Sequence, residues 1–520
     1  MPVSSAAMGA LRFPYGLLAL AILLVASSSF AQVRLARIFG DHMVLQCDKP
    51  AKVWGWASPK ETITLKFSGQ SHTTTADETG AWSVTLDPMP ANAVGADLIV
   101  EGAAADPVTA ADVLVGEVWI CGGQSNMEWV LRASTDADIE IPSANHPAIR
   151  FIRLPKIARP EPQKDFPKGD WRGCTPKTAE HCTAVGYYFA RRLNARLGVP
   201  VGLVDTSWGG TMAQHWVPRE VLKPIPEMQP YFDTYQERVA AWNAGGKQEG
   251  KNPAHQGQPA GMYNGVIMPL AGLAIRGALF YQGENNSFTV GWKPFPKTYP
   301  AVISAWREAF GQADLPFGLI QIAGWSNRRS MKYDMNHHTN IVREVQHRTW
   351  ERTKGTGLIV TFDTNSNQSI HPGRKLPVGE RTARWALAEV YGARGWRDKP
   401  LEWRGPVYQS MKVVGKKIVA SFDDATDRGL RLDKDAELGF YIAGEDRTFH
   451  IARARVLGKT RDVEVWSDSV PQPVAVRYGW SNLPLGSLMN ARELPAYPFR
   501  SDTWPLVPHQ STGAYEVDKN

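Results

Sequence analysis

Between residues 111 and 400, apolar runs of strand length alternate with amphipathic helical stretches. "DVLVGEVWIC" runs into Gly122 and Gly123, "VPVGLVD" into "SWGGT", "IRGALFYQGEN" into its own polar loop, and "PFGLIQIAG" and "TGLIVTFD" follow. "AVGYYFARRLNARLG" places Val185, Phe189, Leu193 and Leu197 on one stripe and stops at Gly198. "GERTARWALAEVYG" does the same with Ala383, Ala386, Leu387 and Val390, and "YPAVISAWREAF" is a further helix. Parallel strands need long crossover connections, and helices supply them. The alternation therefore predicts an α/β fold with a parallel sheet covered on both faces. In such a sheet, reactive groups collect beyond the carboxyl ends of the strands.

The flanks read differently. "MVLQC", "AKVWGWA", "TITLKF", "TTTADETGAWSVTL" and "DLIVEG" are short strands separated by turn residues, which predicts a small β-sandwich over residues 32–110. From about residue 401 to 520, strands dominate again in "KKIVASFDD", "LGFYIAG", "TFHIARARVLG", "DVEVWSD" and "PVAVRYGW", a second β domain. The catalytic region is thus expected over 111–400. Residues 244–261, rich in Gly, Gln and Asn, are expected to form an exposed loop.

Arg12 is the only charge before Arg34, and "GLLALAILLVA" is an apolar stretch too short for a span. With small residues Ser29 and Ala31 ahead of Gln32, residues 1–31 read as a signal peptide, and the mature chain is expected to be periplasmic or extracellular, without stable membrane association. Export permits disulfides. Of the four cysteines, Cys174 and Cys182 could close a loop, whereas Cys47 and Cys121 lie in apolar runs and are expected buried and free. None has zinc spacing, so no metal is expected. The net charge of +7 is scattered, which argues against nucleic acid as a partner. The 19 tryptophans fit either core packing or stacking on sugar faces.

Four strand ends carry the candidate chemistry. Ser125 follows Gly122 and Gly123 in a tight turn, which exposes a hydroxyl and brings backbone N–H groups close to a substrate carbonyl. Gly209 and Gly210 follow the second strand, "QGENN" the third, and His371 lies in the loop after "TGLIVTFD". A histidine on a later loop can take the serine's proton, and an amide with a glycine N–H can hold an oxyanion. The set suits ester hydrolysis, and the "GQSNM" context departs from the elbow of α/β-hydrolases.

These segments resemble the sialate O-acetylesterase family and related carbohydrate acetylesterases, members of the SGNH hydrolases. The resemblance is carried by "FGDHMVLQ" and "VWGWA", "VLVGEVWICGGQSNMEW", "VGLVDTSWGGTMAQHW", "GALFYQGENN", "SIHPGRKLPVGERTARWAL", "PVAVRYGW" and "ELPAYPFRSDTW", and it spans nearly all of the mature chain. It implies an SGNH-type parallel-sheet core, Ser125 as nucleophile, His371 as general base, and oxyanion donors from the Ser125 and Gly210 N–H groups and an amide of the third block, Asn286 or its rival Gln282. Glu284 would orient that loop, touch substrate, or serve as a buried structural carboxylate.

Many SGNH enzymes carry an aspartate three residues before the histidine; here that position is Gln368. Asp363 is the nearest acid and the candidate third member, the alternative being a Ser–His dyad. No cofactor is implied, and a neutral imidazole predicts a rate rising through roughly pH 6 to 8. The expected substrate is an acetylated plant cell-wall oligosaccharide such as xyloglucan or xylan. The alternatives are acetylated sialic acid, which would call for a clamping arginine, and a glycan-binding protein without catalysis.

Overall fold

The computed structural model of the protein describes residues 33–505 except 104–105, 246, 248–251, 253–256, 288–290, 325–337, 367–368, 434–437 and 459–460. The expected leader and Gln368 lie outside the described residues.

The organising element is one strand of sixteen residues, Val108–Gly123 (β1). At about 3.3 Å per residue it is long enough, roughly 50 Å, to serve two regions. Its first half pairs with Val44–Gln46 in parallel and with Asn92–Glu101 antiparallel; the latter strand continues the sheet to Thr62–Phe67 and Gln70–Thr75. Its second half is the centre of the parallel sheet. The other strands there are His146–Arg153 (β2), Arg172–Cys174 (β3), Val201–Asp205 (β4), Gly277–Tyr281 (β5), Phe317–Ile320 (β6) and Thr356–Ile359 (β7). Their order is β3-β2-β4-β1-β5-β6-β7, all parallel except the edge strand β3. In the amino-terminal region Arg34–Leu35, Ala51–Trp56 and Ala81–Leu86 form a further three-stranded sheet. Residues 408–500 hold two four-stranded antiparallel sheets.

The alternation along β1 sorts its side chains between two cores. Trp119 and Cys121 face the helices Ala184–Leu197 (α2) and Leu376–Trp385 (α5). Trp119 meets Phe189 edge-on with centroids 4.9 Å apart and Trp385 at 6.1 Å. Ile120 lies in the other core with Trp306 of Phe295–Ala309 (α3). Helix α2 stops where the sequence places the stop, with Gly198 in the left-handed conformation. Among the described residues the four largest fully buried side chains are Trp119, Trp216, Trp306 and Trp385, so these tryptophans are core residues.

One helix on this second side, His338–Arg352 (α4), escapes apolar periodicity. The residues it buries are mostly polar, among them Asn340, Arg343, Gln346 and Thr349. Gln346 explains why: its Nε2 donates to the Gln282 carbonyl at 3.0 Å and its Oε1 accepts from the Ile322 N–H at 3.1 Å, stitching the ends of β5 and β6. Cys174 and Cys182, whose spacing left a disulfide open, are not joined; all four cysteines are free and buried.

The two glycines ending β1 have separate reasons. A Cβ on Gly122 would lie 2.5 Å from the Trp306 ring, and one on Gly123 would lie 2.1 Å from the Tyr281 carbonyl oxygen. Gly123 also has a φ of +121°, where side chains are strained. Gly123→Ala should therefore cost about 2–4 kcal/mol, backbone strain plus overpacking. The check is a lower urea midpoint at unchanged m-value.

Candidate active site

Ser125 opens a single helical turn, Ser125–Glu128 (α1), directly after β1. His371 comes from the loop between β7 and α5, and its Nε2 lies 2.7 Å from Ser125 Oγ. The indole of Trp129 stacks on the imidazole with centroids 5.3 Å apart and planes 20° apart. The structure thus brings together the two residues on which an acyl-transfer site depends.

The residues on either side of Ser125 fasten it to two loops. Gln124 Oε1 accepts from Gln282 Nε2 at 2.7 Å and from the Asn285 N–H at 3.3 Å, which ties down the loop after β5. Asn126, fully buried, donates to Glu284 Oε1 at 2.5 Å and to the Ile370 carbonyl at 3.1 Å, so it grips the residue just before His371. Its Oδ1 accepts from Lys375 Nζ at 2.5 Å. Asn126 and Lys375 are the residues sequence reasoning passed over. The signal for Asn126 was its place beside the serine; a lysine heading an apolar helix gives no hint that its ammonium is buried.

Glu284 and Lys375 form a buried pair of opposite sign bridged by Asn126. Burial raises the Glu284 carboxyl, with Asn126 and Lys375 opposing, and one of its oxygens, Oε2, is buried without a partner among the described residues. Burial drives the Lys375 ammonium down to about 7, with Glu284 opposing. Of the readings open for Glu284, the geometry supports loop orientation.

The amides expected to hold an oxyanion are used elsewhere. Asn286 is fully buried, accepts from the Ala213 N–H at 2.9 Å, and donates to Gln214 Oε1 at 3.1 Å and the Gly291 carbonyl at 3.2 Å. Gln282 Nε2 donates to Gln124 and, at 2.8 Å, to the Thr211 carbonyl. The third-block amide that reaches the glycine loop is Asn285, whose Nδ2 donates to the Gly210 carbonyl at 2.6 Å. Among the described residues the N–H groups of Ser125 and Gly210 have no hydrogen-bond acceptor, which leaves both available as donors. Gly209 sits against the serine: a Cβ there would lie 3.1 Å from Ser125 Cβ.

Asp363 is not brought to His371. It is held by Arg381 through two bonds, Nη1 to Oδ1 and Nη2 to Oδ2, each 2.6 Å. A guanidinium fork satisfies both carboxylate oxygens and turns them from the imidazole. No carboxylate hydrogen-bonds His371 among the described residues. Glu128, at the end of α1, is the acid whose charge acts on His371. Its Oε2 accepts from the Gly209 N–H at 2.6 Å, and its Oε1 pairs with Lys156 and, at 3.9 Å, with Arg153. Beyond it lies a cavity of about 310 Å³ lined by Arg153, Lys156, Lys168, Arg172, His181 and Asp205 among others.

Only one group of three, Cys47, Asp48 and Glu117, beside the middle of β1, brings ligand atoms within 4.8 Å of one another among the described residues. Glu117 there holds Arg276 through both oxygens, at 2.6 and 3.0 Å, and burial pushes the Cys47 thiol up, so the set is a guanidinium site rather than a metal site.

The fold and this pair define an α/β hydrolase whose serine and histidine meet beyond the strand ends. Residues 115–383 match the family model described as carbohydrate esterase, sialic acid-specific acetylesterase. The chain is 27% identical to mouse sialate O-acetylesterase over 483 residues, 84% of this chain and 85% of that one. It is 27% identical to the human sialate O-acetylesterase over 74% of this chain and 75% of that one. A crystal structure of a carbohydrate acetylesterase from Xanthomonas citri is similar at 34% identity and a TM-score of 0.77, covering 91% of this chain and all of that one. The chain belongs to the carbohydrate esterase, sialic acid-specific acetylesterase family, and it is a carbohydrate O-acetylesterase.

Two outcomes follow from the geometry. Asn286→Ala should lower stability by about 1–3 kcal/mol, the cost of orphaned buried partners. Asn285→Ala should instead lower kcat on the order of tenfold or more by loosening the Gly210 loop; thermal melts beside steady-state kinetics separate the two. His371 is held below its ordinary range by burial and by Lys375, with Glu128 pulling the other way. A base must be neutral to work, so a lowered pKa moves the acid limb of kcat/KM down, to a midpoint below about 6.5. A pH–rate profile checks this.

Proposed function

We propose that the chain is an exported serine esterase of SGNH type that removes O-acetyl groups from plant cell-wall oligosaccharides such as xyloglucan or xylan fragments. The single observation that carries the mechanism is the 2.7 Å contact between His371 Nε2 and Ser125 Oγ. Ser125 attacks the acetyl carbonyl as His371 takes its proton. The oxyanion forms against the N–H groups of Ser125 and Gly210. His371 then gives the proton to the leaving sugar oxygen, and water, activated by the same imidazole, releases acetate from the acetyl-serine. In this reading residues 111–400 are the catalytic domain, with accessory β regions over 32–110 and 401–520.

The choice of substrate is supported by the apolar leader and by the higher identity to a carbohydrate acetylesterase, 34%, than to the sialate O-acetylesterases, 27%. Among the described residues, no helix is long and apolar enough to cross a membrane. A second reading, acetylated sialic acid, is favoured by the cavity behind Glu128, where Arg172 lines the wall and would meet a carboxylate, while Arg153 is already paired with Asp205 at 3.3 Å.

The test is acetate release by the secreted protein, whose intact mass should correspond to a start at Gln32, from acetylated xyloglucan and xylan oligosaccharides and from O-acetylated sialic acids. Turnover of the neutral oligosaccharides with a much higher kcat/KM supports the first reading, and the reverse order supports the second. Ser125→Ala should lose at least about 10³-fold of the activity, as removal of a nucleophile does, at little change in Tm. Activity within tenfold of wild type would remove Ser125 from its role.

A further inference from the structure

We propose that Glu128 is a positioning residue that takes over, through charge and loop geometry, part of what a triad carboxylate does elsewhere. This rests on the reading of Ser125 and His371 as nucleophile and base. The carboxylate serves two parts of the site at once. It fixes the glycine loop through the Gly209 N–H, 2.6 Å from Oε2, and it supplies negative charge to the imidazole that must become cationic in the transition state.

The case is geometric first. Ser125 and Glu128 are the first and last residues of the same helical turn, and residues three apart share a face of a helix. Gly209 lies between them: a Cβ there would be 3.1 Å from Ser125 Cβ and 3.2 Å from Glu128 Oε2. A carboxylate in this place holds the loop that carries the free Gly210 N–H. Asp363 is occupied by Arg381, and Glu284 reaches only Asn126 and the field of Lys375. The charges that face His371 come from two elements. Glu128 acts from α1, and Lys375 acts from the head of α5. Lys375 Nζ lies 5.8 Å from the centroid of the same Trp129 ring that stacks on the imidazole. Glu128 is itself faced by Lys156 and Arg153. The imidazole thus feels one negative and one positive group, neither hydrogen-bonded to it.

Opposite signs make the test sharp. Removing a negative charge near a base makes its protonation harder and moves the acid limb of kcat/KM to lower pH; removing a positive charge does the reverse. Glu128→Gln also takes the ion-pair partner from Lys156 and leaves Arg153 to Asp205 alone, which acts in the same direction. Profiles are measured on 4-nitrophenyl acetate, which requires no glycan recognition, for wild type, Glu128→Gln, Glu128→Asp, Lys375→Met and the Ser125→Ala control. Glu128→Gln should move the limb down on the order of half a pH unit and Lys375→Met should move it up by a similar amount, the size expected of a charge that is not hydrogen-bonded to the base in a partly solvated site. Glu128→Asp should keep the limb at its wild-type place yet lose kcat, because the shorter side chain retains the charge and lets go of Gly209. A Glu128→Gln limb that stays in place, or moves the same way as that of Lys375→Met, overturns the proposal while an inactive Ser125→Ala leaves the esterase mechanism standing. An active Ser125→Ala overturns the mechanism and the proposal together.

Discussion

The amide of Asn126 is the joint on which the active site depends. It stands next to the serine in the chain, yet its own bonds all go to other segments: Glu284 after β5, the Ile370 carbonyl beside the histidine, and the ammonium of Lys375 at the head of α5. A side-chain amide presents donors and an acceptor at fixed angles, so it can hold a carboxylate, a carbonyl and an ammonium at once. Because the group is buried, each of these bonds is strengthened by the low local dielectric, and each is costly to lose. The serine–histidine distance is therefore fixed from behind, by groups that a substrate never meets.

The rest of the fold serves this joint. The central strand delivers Ser125 to the edge of the sheet, and two glycines let it pass under the Tyr281 carbonyl and over the Trp306 ring. Neighbouring parallel strands end at the same level and deliver the glycine loop and the Gln282–Asn286 loop to the same place. Helix α4 holds that second loop through Gln346, at the expense of a polar inner face.

Much of this was legible from residue patterns. The alternation of strands and helices predicted the parallel sheet, Gly198 marked a helix end, and the polar strand ends marked the site. What was not legible has physical reasons. Helix α4 buries Asn340, Arg343 and Gln346, so the apolar period that signals a helix is missing. Asn285 and Asn286 are adjacent and chemically identical in sequence; only the turn decides that one is buried among carbonyls and the other reaches Gly210. Asp363 looked available because Arg381 is eighteen positions away, and an ion pair across that separation leaves no local trace. The burial of His371 and the nearby Lys375, which lower its pKa, cannot be seen in composition.

The sixteen residues of β1 run without a break from the amino-terminal strands into the catalytic sheet, and the change of partners occurs within the strand itself. Most multi-domain chains meet at a linker, where recombination can exchange one part for another without disturbing either. Here a crossover near residue 110 would split a hydrogen-bonded ladder in two and leave both halves with an open edge. Exchange of the amino-terminal region at that point thus costs stability on both sides of the cut. A graft that separates the two regions has to rebuild the central strand.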